Sequence, residues 1–219
     1  MISHKYKIIF IHIPKCAGTS IEKVLGHHSI FDGRGMQGHR TIRHIEPVNI
    51  MAFSSMNNFK MLLRKLKYYF KKHINPKNSC TCNRQQFDDY FKFTFVRNPW
   101  DRVFSAYKSR GKNYKLNGKC ISFKQFVLYF IKKDGLCKPV EYFLTNYNGK
   151  IELDYIGKFE SLDSDFKKIC DEVGLKNITL PHLVQSKSKN IYRQMYDDET
   201  KSLVADYFAN EIKTFNYKF

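Results

Sequence analysis

The residues best suited to chemistry near the start of the chain form the loop PKCAGTS at positions 14–20. An apolar, largely β-branched run over positions 8–13 precedes the loop and predicts a buried strand that stops at the proline. A helical pattern begins at Ile21. Such a loop directs backbone N–H groups, the positive end of a helix and the charge of Lys15 to one place, which predicts a phosphate or sulfate site. It is not a Walker A loop, because Lys15 precedes Gly18 instead of following it.

A second strand-to-helix motif stands far downstream, in FTFVRNPWDRVFSAY over positions 93–107. Its apolar half predicts a strand that ends just before Arg97, and Asn98 and Pro99 are suited to cap and begin a helix. Ser105 then falls about two turns into that helix. Ligands of open α/β sheets bind at the carboxyl ends of strands, so both motifs would present cations at that edge. Two such sites suggest a ligand with two separated anionic groups.

The elements that must position these motifs follow from the spacing of apolar residues. That spacing predicts a strand over positions 154–159 and helices over 58–73, 122–132, 162–173 and 197–215. The helix over 58–73 is amphipathic, with an apolar stripe and a basic face. The basic face suits either ordinary solvent exposure or contact with an acceptor or a membrane.

At these residues the chain resembles the sulfotransferases that use 3′-phosphoadenosine 5′-phosphosulfate (PAPS). PKCAGTS is similar to their 5′-phosphosulfate loop, and FVRNPWDRVFSAY is similar to their 3′-phosphate motif. YIGKFESLDSDF, LPHLVQSKS and the final helix also match, in the pattern of carbohydrate-type members, especially short bacterial and viral ones. The resemblance covers Tyr6 to Phe219.

The resemblance implies an α/β fold in which a P-loop-like parallel sheet is flanked by helices. We expect a single domain over residues 1–219, with an inserted basic helical segment around 53–84. The donor implied is PAPS, without a metal cofactor. The positions implied to bind the donor are Pro14, Lys15, Cys16, Ala17, Gly18, Thr19, Ser20, Arg97, Ser105 and Lys187.

Two residues are predicted to act in catalysis. Lys15 would neutralise the charge that grows on the bridging oxygen as the 5′-phosphate leaves. The acceptor hydroxyl needs a base, and His39 is the predicted one because family members often carry a histidine after the first helix, in a stretch similar to GHRTIRHI. His44 is the nearest rival, and a carboxylate such as Glu46 is an alternative. His12 is expected to be a buried structural residue.

Other interpretations of three positions stay open. Arg97 would serve equally well in an ion pair with Asp101, one turn away, and Ser105 could be an ordinary helix-surface serine. The family usually has arginine where Lys158 stands, and lysine keeps the charge but loses the bidentate geometry.

Charge and composition bound the partners. The chain has 38 Lys and Arg against 20 Asp and Glu, which gives a formal charge of +18. Such a charge favours polyanionic partners. The alternative interpretation is that part of the charge reflects an overall composition rich in Lys, Asn, Tyr and Phe. With the resemblance, we expect a hydroxyl-bearing acceptor, a glycan or glycolipid, and no nucleic acid. No signal peptide or membrane span is visible, so we expect a cytoplasmic protein, with peripheral membrane contact left open.

Two other classes of function compete with sulfotransfer. A nucleotide-dependent phosphotransferase is disfavoured because no Walker A or kinase motif is present. A non-catalytic, polyanion-binding module would explain the charge, but not two anion loops in strand-to-helix positions. Cys80 and Cys82 near His73 are only a weak indication of zinc, because no second pair of ligands accompanies them.

Overall fold

The computed structural model of the chain describes residues 1–25, 38–70, 81–175, 178–180 and 191–219. The chain divides into two compact units. The first contains Met1–Ile13, Ala17–Val96 and Glu141–Leu183, and the second contains Pro14–Cys16, Arg97–Val140 and Val184–Phe219.

The described residues form short strands and helices in the following order. The strands are β1 (Ile2–Ser3), β2 (Ile8–Ile11), β3 (Phe91–Val96), β4 (Lys115–Leu116), β5 (Lys119–Cys120) and β6 (Tyr155–Lys158). The helices are α1 (Gly18–Val24), α2 (Ile42–Ile45), α3 (Met56–Phe70), α4 (Arg84–Asp89), α5 (Pro99–Arg110), α6 (Phe123–Tyr129), α7 (Val140–Leu144), α8 (Leu162–Glu172), α9 (Asp198–Tyr207) and α10 (Ala209–Phe215). Turns of 3-10 helix span Ile50–Phe53, Gly111–Asn113, Gly135–Cys137, Phe159–Ser161 and Ile191–Met195.

The first unit is built on a four-stranded sheet in the order β1-β2-β3-β6. β1 runs antiparallel to β2, whereas β2, β3 and β6 are mutually parallel neighbours. Every residue of β2 is buried, as expected for a parallel strand covered on both faces. The α/β class with a parallel sheet flanked by helices, predicted from the sequence, is confirmed.

The core of the first unit comes from the apolar runs that predicted its strands. Phe10 and Phe93 are paired across β2 and β3, and their rings stack at 5.0 Å between centroids. Gly157 of β6 lies against the Phe95 ring, so closely that a Cβ there would come within 2.5 Å of Phe95 Cε1. This close approach explains why a glycine occupies the interior of a strand.

The second unit is organised around α5 and a buried ion pair. Arg102 Nη2 donates to both carboxylate oxygens of Glu211, at 2.7 Å and 2.8 Å, and each side chain is only 1% exposed. Glu211 also accepts from the Val140 N–H at 2.8 Å, and Arg102 Nη1 donates to the Lys138 carbonyl at 2.9 Å. The pair therefore fixes α10 and the chain at 138–140 against α5, and removing one partner would leave a buried charge uncompensated.

Some element boundaries differ from the sequence-based predictions. The last helix, predicted over 197–215, is two helices with a break at Phe208, whose side chain is buried at the junction. α1 begins at Gly18, three residues before the predicted start. Within the predicted inserted segment at 53–84, α3 is the helical part among the described residues. The prediction of a single domain over 1–219 with that insertion stays a prediction.

Part of the sequence analysis falls outside the described residues. This applies to positions 71–73 at the end of the predicted helix over 58–73, to Cys80 and to Lys187. Across the described ranges, no helix is long and apolar enough to cross a membrane.

Candidate active site

The loop between β2 and α1 has an unusual backbone. Lys15 and Ala17 both lie in the left-handed region, at φ 66° and 63°, where an L-residue costs about 1–2 kcal/mol. Where a left-handed residue is followed or preceded by a residue of another conformation, successive backbone N–H groups point to the same side of the chain. This is the arrangement of an anion-binding nest. The Ser20 N–H donates to the Ala17 carbonyl at 3.0 Å. We therefore expect any ligand contact of Ser20 to come from its hydroxyl.

Lys15 carries the charge of this loop. Its side chain is half-buried, and its pKa is lowered, first by burial and then by the positive charges of Arg97 and Arg110. Within the described part of the second unit, no carboxylate forms an ion pair with the Lys15 ammonium. An anion bound beside Lys15 would relieve this repulsion, so the electrostatics favour one there.

Arg97 follows β3 directly, as predicted, and is almost fully buried. Its Nε and Nη2 donate to Asp101 Oδ2 at 2.9 Å and 2.8 Å, which is the ion pair that the sequence left open. Its Nη1 donates to the carbonyl of Lys15 at 2.9 Å. Arg97 therefore holds the left-handed loop residue in place, and Asp101 orients Arg97 for that contact.

Ser105 lies on α5, which begins as the sequence predicted. The Asn98 side chain accepts from the Trp100 N–H at 3.1 Å, and Pro99 is the first helical residue. Ser105 is half-buried and stands four residues after Asp101, so the two share one face of α5. The structure thus brings Lys15, Arg97 and Asp101 into contact and places Ser105 one turn further along.

A buried carboxylate and a histidine pack together beside the start of α1, in the first unit. His12 Nδ1 lies 3.1 Å from Glu22 Oε1, and the two residues are 2% and 1% exposed. The His12 ring also lies against Gly18, where an added Cβ would come within 2.0 Å of His12 Cδ2. Glu22 is not among the residues predicted from the sequence. The sequence did contain one signal: Glu22 stands one turn after Gly18 and next to the apolar Ile21, which places a carboxylate on the inward face of the helix. A carboxylate in that position requires a partner.

His39, the predicted base, contacts this pair. Its ring meets the His12 ring edge to face, with centroids 4.4 Å apart and an angle of 78° between the planes. Glu22 also lies against Gly38, where a Cβ would come within 2.8 Å of Glu22 Oε1. His39 itself is half-buried. The chain at 38–39 is therefore packed against two side chains that border the loop.

His44, the rival histidine, has a structural role in α2. Its Nδ1 accepts from the Thr41 N–H at 3.1 Å, which places its proton on Nε2 when the ring is neutral. Burial lowers the pKa of His44 to about 3, helped by the positive charges of Arg40, Arg64, Lys65 and Arg43. A neutral ring with Nδ1 occupied and Nε2 protonated is poorly suited to accept an acceptor proton.

Glu46, the alternative carboxylate, is also engaged in structure. It is 1% exposed, and its Oε2 accepts from the Tyr147 N–H at 2.9 Å. Burial raises the pKa of Glu46, while the hydrogen bond from Tyr147 and the charge of Arg84 oppose that rise. Glu46 thus joins the end of α2 to the chain at Tyr147.

Lys187, which is predicted to bind the donor, lies outside the described residues. Among the residues that the structure does describe, no group of three or more His, Cys, Asp or Glu side chains is arranged to hold a metal ion.

Comparison with known proteins gives the family. A model of the sulfotransferase family matches residues 1–218. The chain belongs to the sulfotransferase family. The motifs at 14–20 and 93–107 therefore identified the family correctly.

The relatives of this chain include named carbohydrate sulfotransferases. It is 30% identical over 118 residues to carbohydrate sulfotransferase 14 of Danio rerio, an alignment covering 42% of this chain and 32% of the relative. It is 22% identical over 265 residues to carbohydrate sulfotransferase 9 of Homo sapiens, covering 99% and 52%. An uncharacterized protein of Archaeoglobus fulgidus is 37% identical over 95 residues, covering 42% and 74%. The chain thus spans only a third to a half of these two carbohydrate sulfotransferases. No solved structure matches it significantly.

Proposed function

We propose that this protein transfers a sulfuryl group from PAPS to a hydroxyl group of a carbohydrate. The observation that carries the proposal is the loop PKCAGTS: Lys15 is half-buried beside Arg97, on a left-handed backbone, without a carboxylate partner among the described residues. Membership of the sulfotransferase family supports a phosphosulfate as the anion. The carbohydrate acceptor is inferred from the names of the relatives.

The reaction exchanges one sulfur–oxygen bond for another. The acceptor oxygen forms a bond to sulfur as the bond between sulfur and the bridging oxygen of PAPS breaks. The product adenosine 3′,5′-bisphosphate (PAP) leaves with the bonding electrons, and the acceptor proton passes to a base. By analogy with phosphoryl transfer, the transition state is loose and in line, so positioning and electrostatics supply most of the catalysis.

Lys15 is the proposed electrostatic catalyst. Charge builds on the bridging oxygen during transfer, and a preorganised cation at that oxygen is stabilising because it needs no reorganisation. The Arg97 hydrogen bond to the Lys15 carbonyl fixes the backbone from which that side chain extends. The N–H groups of the loop and the Thr19 and Ser20 hydroxyls are proposed to bind the 5′-phosphate.

Arg97 and Ser105 are proposed to bind the 3′-phosphate. A phosphate would share the guanidinium of Arg97 with Asp101, and the Ser105 hydroxyl would donate to it from the same face of α5. Lys187 is proposed as a further donor-binding residue on the strength of the family motif alone.

His39 is the proposed base. Glu22 orients His12 through its hydrogen bond, and the His12 ring packs against His39 and restricts its rotation. His12 and Glu22 are positioning residues in this account. Cytoplasmic location and a glycan or glycolipid acceptor stay predictions.

Nucleotide binding tests the proposal without knowledge of the acceptor. We expect PAP to raise the melting temperature more than adenosine 5′-phosphosulfate does, because only PAP carries a 3′-phosphate. Each charge-assisted hydrogen bond to that phosphate contributes about 1.5–3 kcal/mol. Ser105→Ala should reduce the advantage of PAP, whereas the matched control Ser109→Ala, on an exposed part of α5, should not.

Two outcomes would contradict the proposal. A larger shift with magnesium–ATP than with PAP would indicate a phosphotransferase. Equal shifts with PAP, ATP and inorganic polyphosphate would indicate a module that binds polyanions without distinguishing them.

A further inference from the structure

The stretch from Val48 to Phe70 exposes an unusual amount of apolar surface. Ten of the sixteen large apolar side chains that are exposed among the described residues belong to it. The most exposed are Ile50 at 85%, Phe70 at 73%, Met56 at 70% and Phe53 at 63%. Single exposed apolar residues are ordinary on protein surfaces, but a continuous group of this size marks an interaction site.

These side chains form an ordered face on α3. At 100° per residue, Met56, Phe59, Leu63, Leu66 and Phe70 fall within an arc of about 80°. The 3-10 turn Ile50–Phe53 ends two residues before the helix and adds three further exposed apolar side chains next to its start, Ile50, Met51 and Phe53. We call Ile50–Phe53 together with this arc of α3 the apolar face.

The apolar face is distinct from the face by which α3 packs on its own unit. Met61 and Leu62 are buried on that packed face. Asn58 Nδ2 donates to the Tyr147 carbonyl at 3.0 Å, and Lys65 donates to the Glu46 carbonyl. The helix is thus already anchored in the first unit, and its apolar face needs another explanation.

Cations border the apolar face on one side. On the helical projection, Lys67 and Lys60 lie next to it, on the side opposite to the packed face, and both are exposed. Arg64 lies beyond them and donates to the Tyr142 hydroxyl at 2.5 Å. No acidic residue occurs between Glu46 and Asp88 in the sequence. The surface therefore combines a band of aliphatic and aromatic side chains with positive charge of a single sign.

This combination argues against a second copy of the chain as the occupant. A two-fold interface places the same surface on both partners, so Lys60 and Lys67 would meet their own equivalents without a carboxylate from this stretch. A bilayer with anionic headgroups complements both features, since the apolar side chains enter the headgroup boundary while the cations bind the lipid charge.

We propose that the apolar face of α3, with its flanking lysines, docks on the surface of an anionic lipid bilayer. The helix lies in the plane of the interface and stays attached to the first unit through its packed face, which contacts Glu46 and Tyr147. The proposal is independent of the proposed function, because docking requires neither PAPS nor an acceptor.

Vesicle co-sedimentation tests the proposal with the full chain. We expect the protein to bind vesicles of phosphatidylcholine and phosphatidylserine, to bind pure phosphatidylcholine much less, and to dissociate as salt rises. Leu63→Ser/Phe70→Ser should weaken binding at least about tenfold, because both side chains lose apolar contact with lipid. Lys60→Gln/Lys67→Gln should weaken it about twenty-five-fold, since each lysine near an anionic surface contributes about a factor of five.

Matched controls separate the face from general effects. Tyr129→Ser/Ile151→Ser removes two apolar side chains of similar exposure elsewhere, at 53% and 43%. Lys119→Gln/Lys167→Gln lowers the net charge equally at other exposed positions. Both controls should bind vesicles like the parent. Unchanged thermal unfolding would show that all four variants fold.

Three results would overturn the proposal. One is a parent protein that does not bind the anionic vesicles. Another is binding that the α3 variants and their controls reduce equally, which would reflect net charge alone. The third is a dimer in solution that Leu63→Ser/Phe70→Ser dissociates, which would assign the apolar face to a second copy.

Discussion

At the scale of single residues, Gly18 determines how closely the loop and the His12 ring can approach. A glycine in a helix normally costs about 0.5–1 kcal/mol relative to alanine. At this position an alanine Cβ would come within 2.0 Å of His12 Cδ2 and 2.1 Å of Nε2, so the usual preference should be reversed. The sequence identified Gly18 as part of an anion loop, but the reason for a glycine depends on a contact that only the fold supplies.

Gly18→Ala should therefore destabilise the protein, by about 1–3 kcal/mol, as expected for overpacking. Chemical denaturation measures this change. Gly135→Ala is the matched control, because no atom lies within 4 Å of the Cβ position there and its φ is not left-handed. Equal stability of Gly18→Ala and Gly135→Ala would show that the packing of His12 on Gly18 is wrong.

His39→Ala should impair sulfuryl transfer without affecting the donor. A base acts only on the acceptor proton, so PAP affinity should stay the same while the transfer rate falls by about 10²–10⁴. The pH–rate profile should also lose the limb that titration of a histidine base produces. His44→Gln is the comparison, because its hydrogen bond to Thr41 N–H assigns it to structure. Loss of transfer in His44→Gln, with normal transfer in His39→Ala, would show that His44 and not His39 is the base.

At the scale of elements, α2 is a short helix with buried charged residues, and the side chain of His44 caps its start. The pKa of His44 is about 3 in the folded chain, against about 6.5 in an unfolded one. Between these values the unfolded chain binds a proton that the folded chain does not. Stability therefore falls as the pH drops from 6.5 towards 3, and this contribution is fully present above 6.5.

His44→Gln should remove that pH dependence. Glutamine at this position can still accept the Thr41 N–H, as in a capping box. Between pH 7 and about pH 5 the parent should lose about 2 kcal/mol more stability than the variant, measured by urea denaturation at both values. Parallel losses in parent and variant would mean that His44 titrates normally in the folded state.

Element boundaries were predictable where a local signal was complete. Asn98 and Pro99 gave both the cap and the first residue of α5, and the structure begins the helix there. The break at Phe208 had no local signal, because the residue is buried for tertiary reasons, with its ring 4.9 Å from the Arg102 guanidinium carbon. The sequence also could not show which apolar face of α3 packs against the protein, since the residues of both faces recur at helical spacing.

At the scale of the whole molecule, the parallel sheet and the family followed from two motifs that each combine a strand, a loop and a helix start. The structure confirms the sheet, and the family model confirms the family, whereas the roles of the two motifs stay predictions. The contacts among Glu22, His12 and His39 could not be predicted from the sequence. The three residues follow no common spacing along the chain, and only burial in the folded protein brings them together. The formal charge of +18 indicated anionic partners without locating them, whereas the structure concentrates cations at Lys15 and along α3.

Transfer from sulfur-radiolabelled PAPS tests the central claim most directly. The parent should label at least one member of a panel of glycans, glycolipids and small alcohols, and should do so in EDTA, because Lys15 supplies the charge that Mg²⁺ gives in phosphotransferases. Lys15→Ala should lower the rate at saturating PAPS by about 10²–10³ while PAP still binds. Turnover of Lys15→Ala equal to that of the parent, or activity that EDTA abolishes and Mg²⁺ restores, would contradict the account.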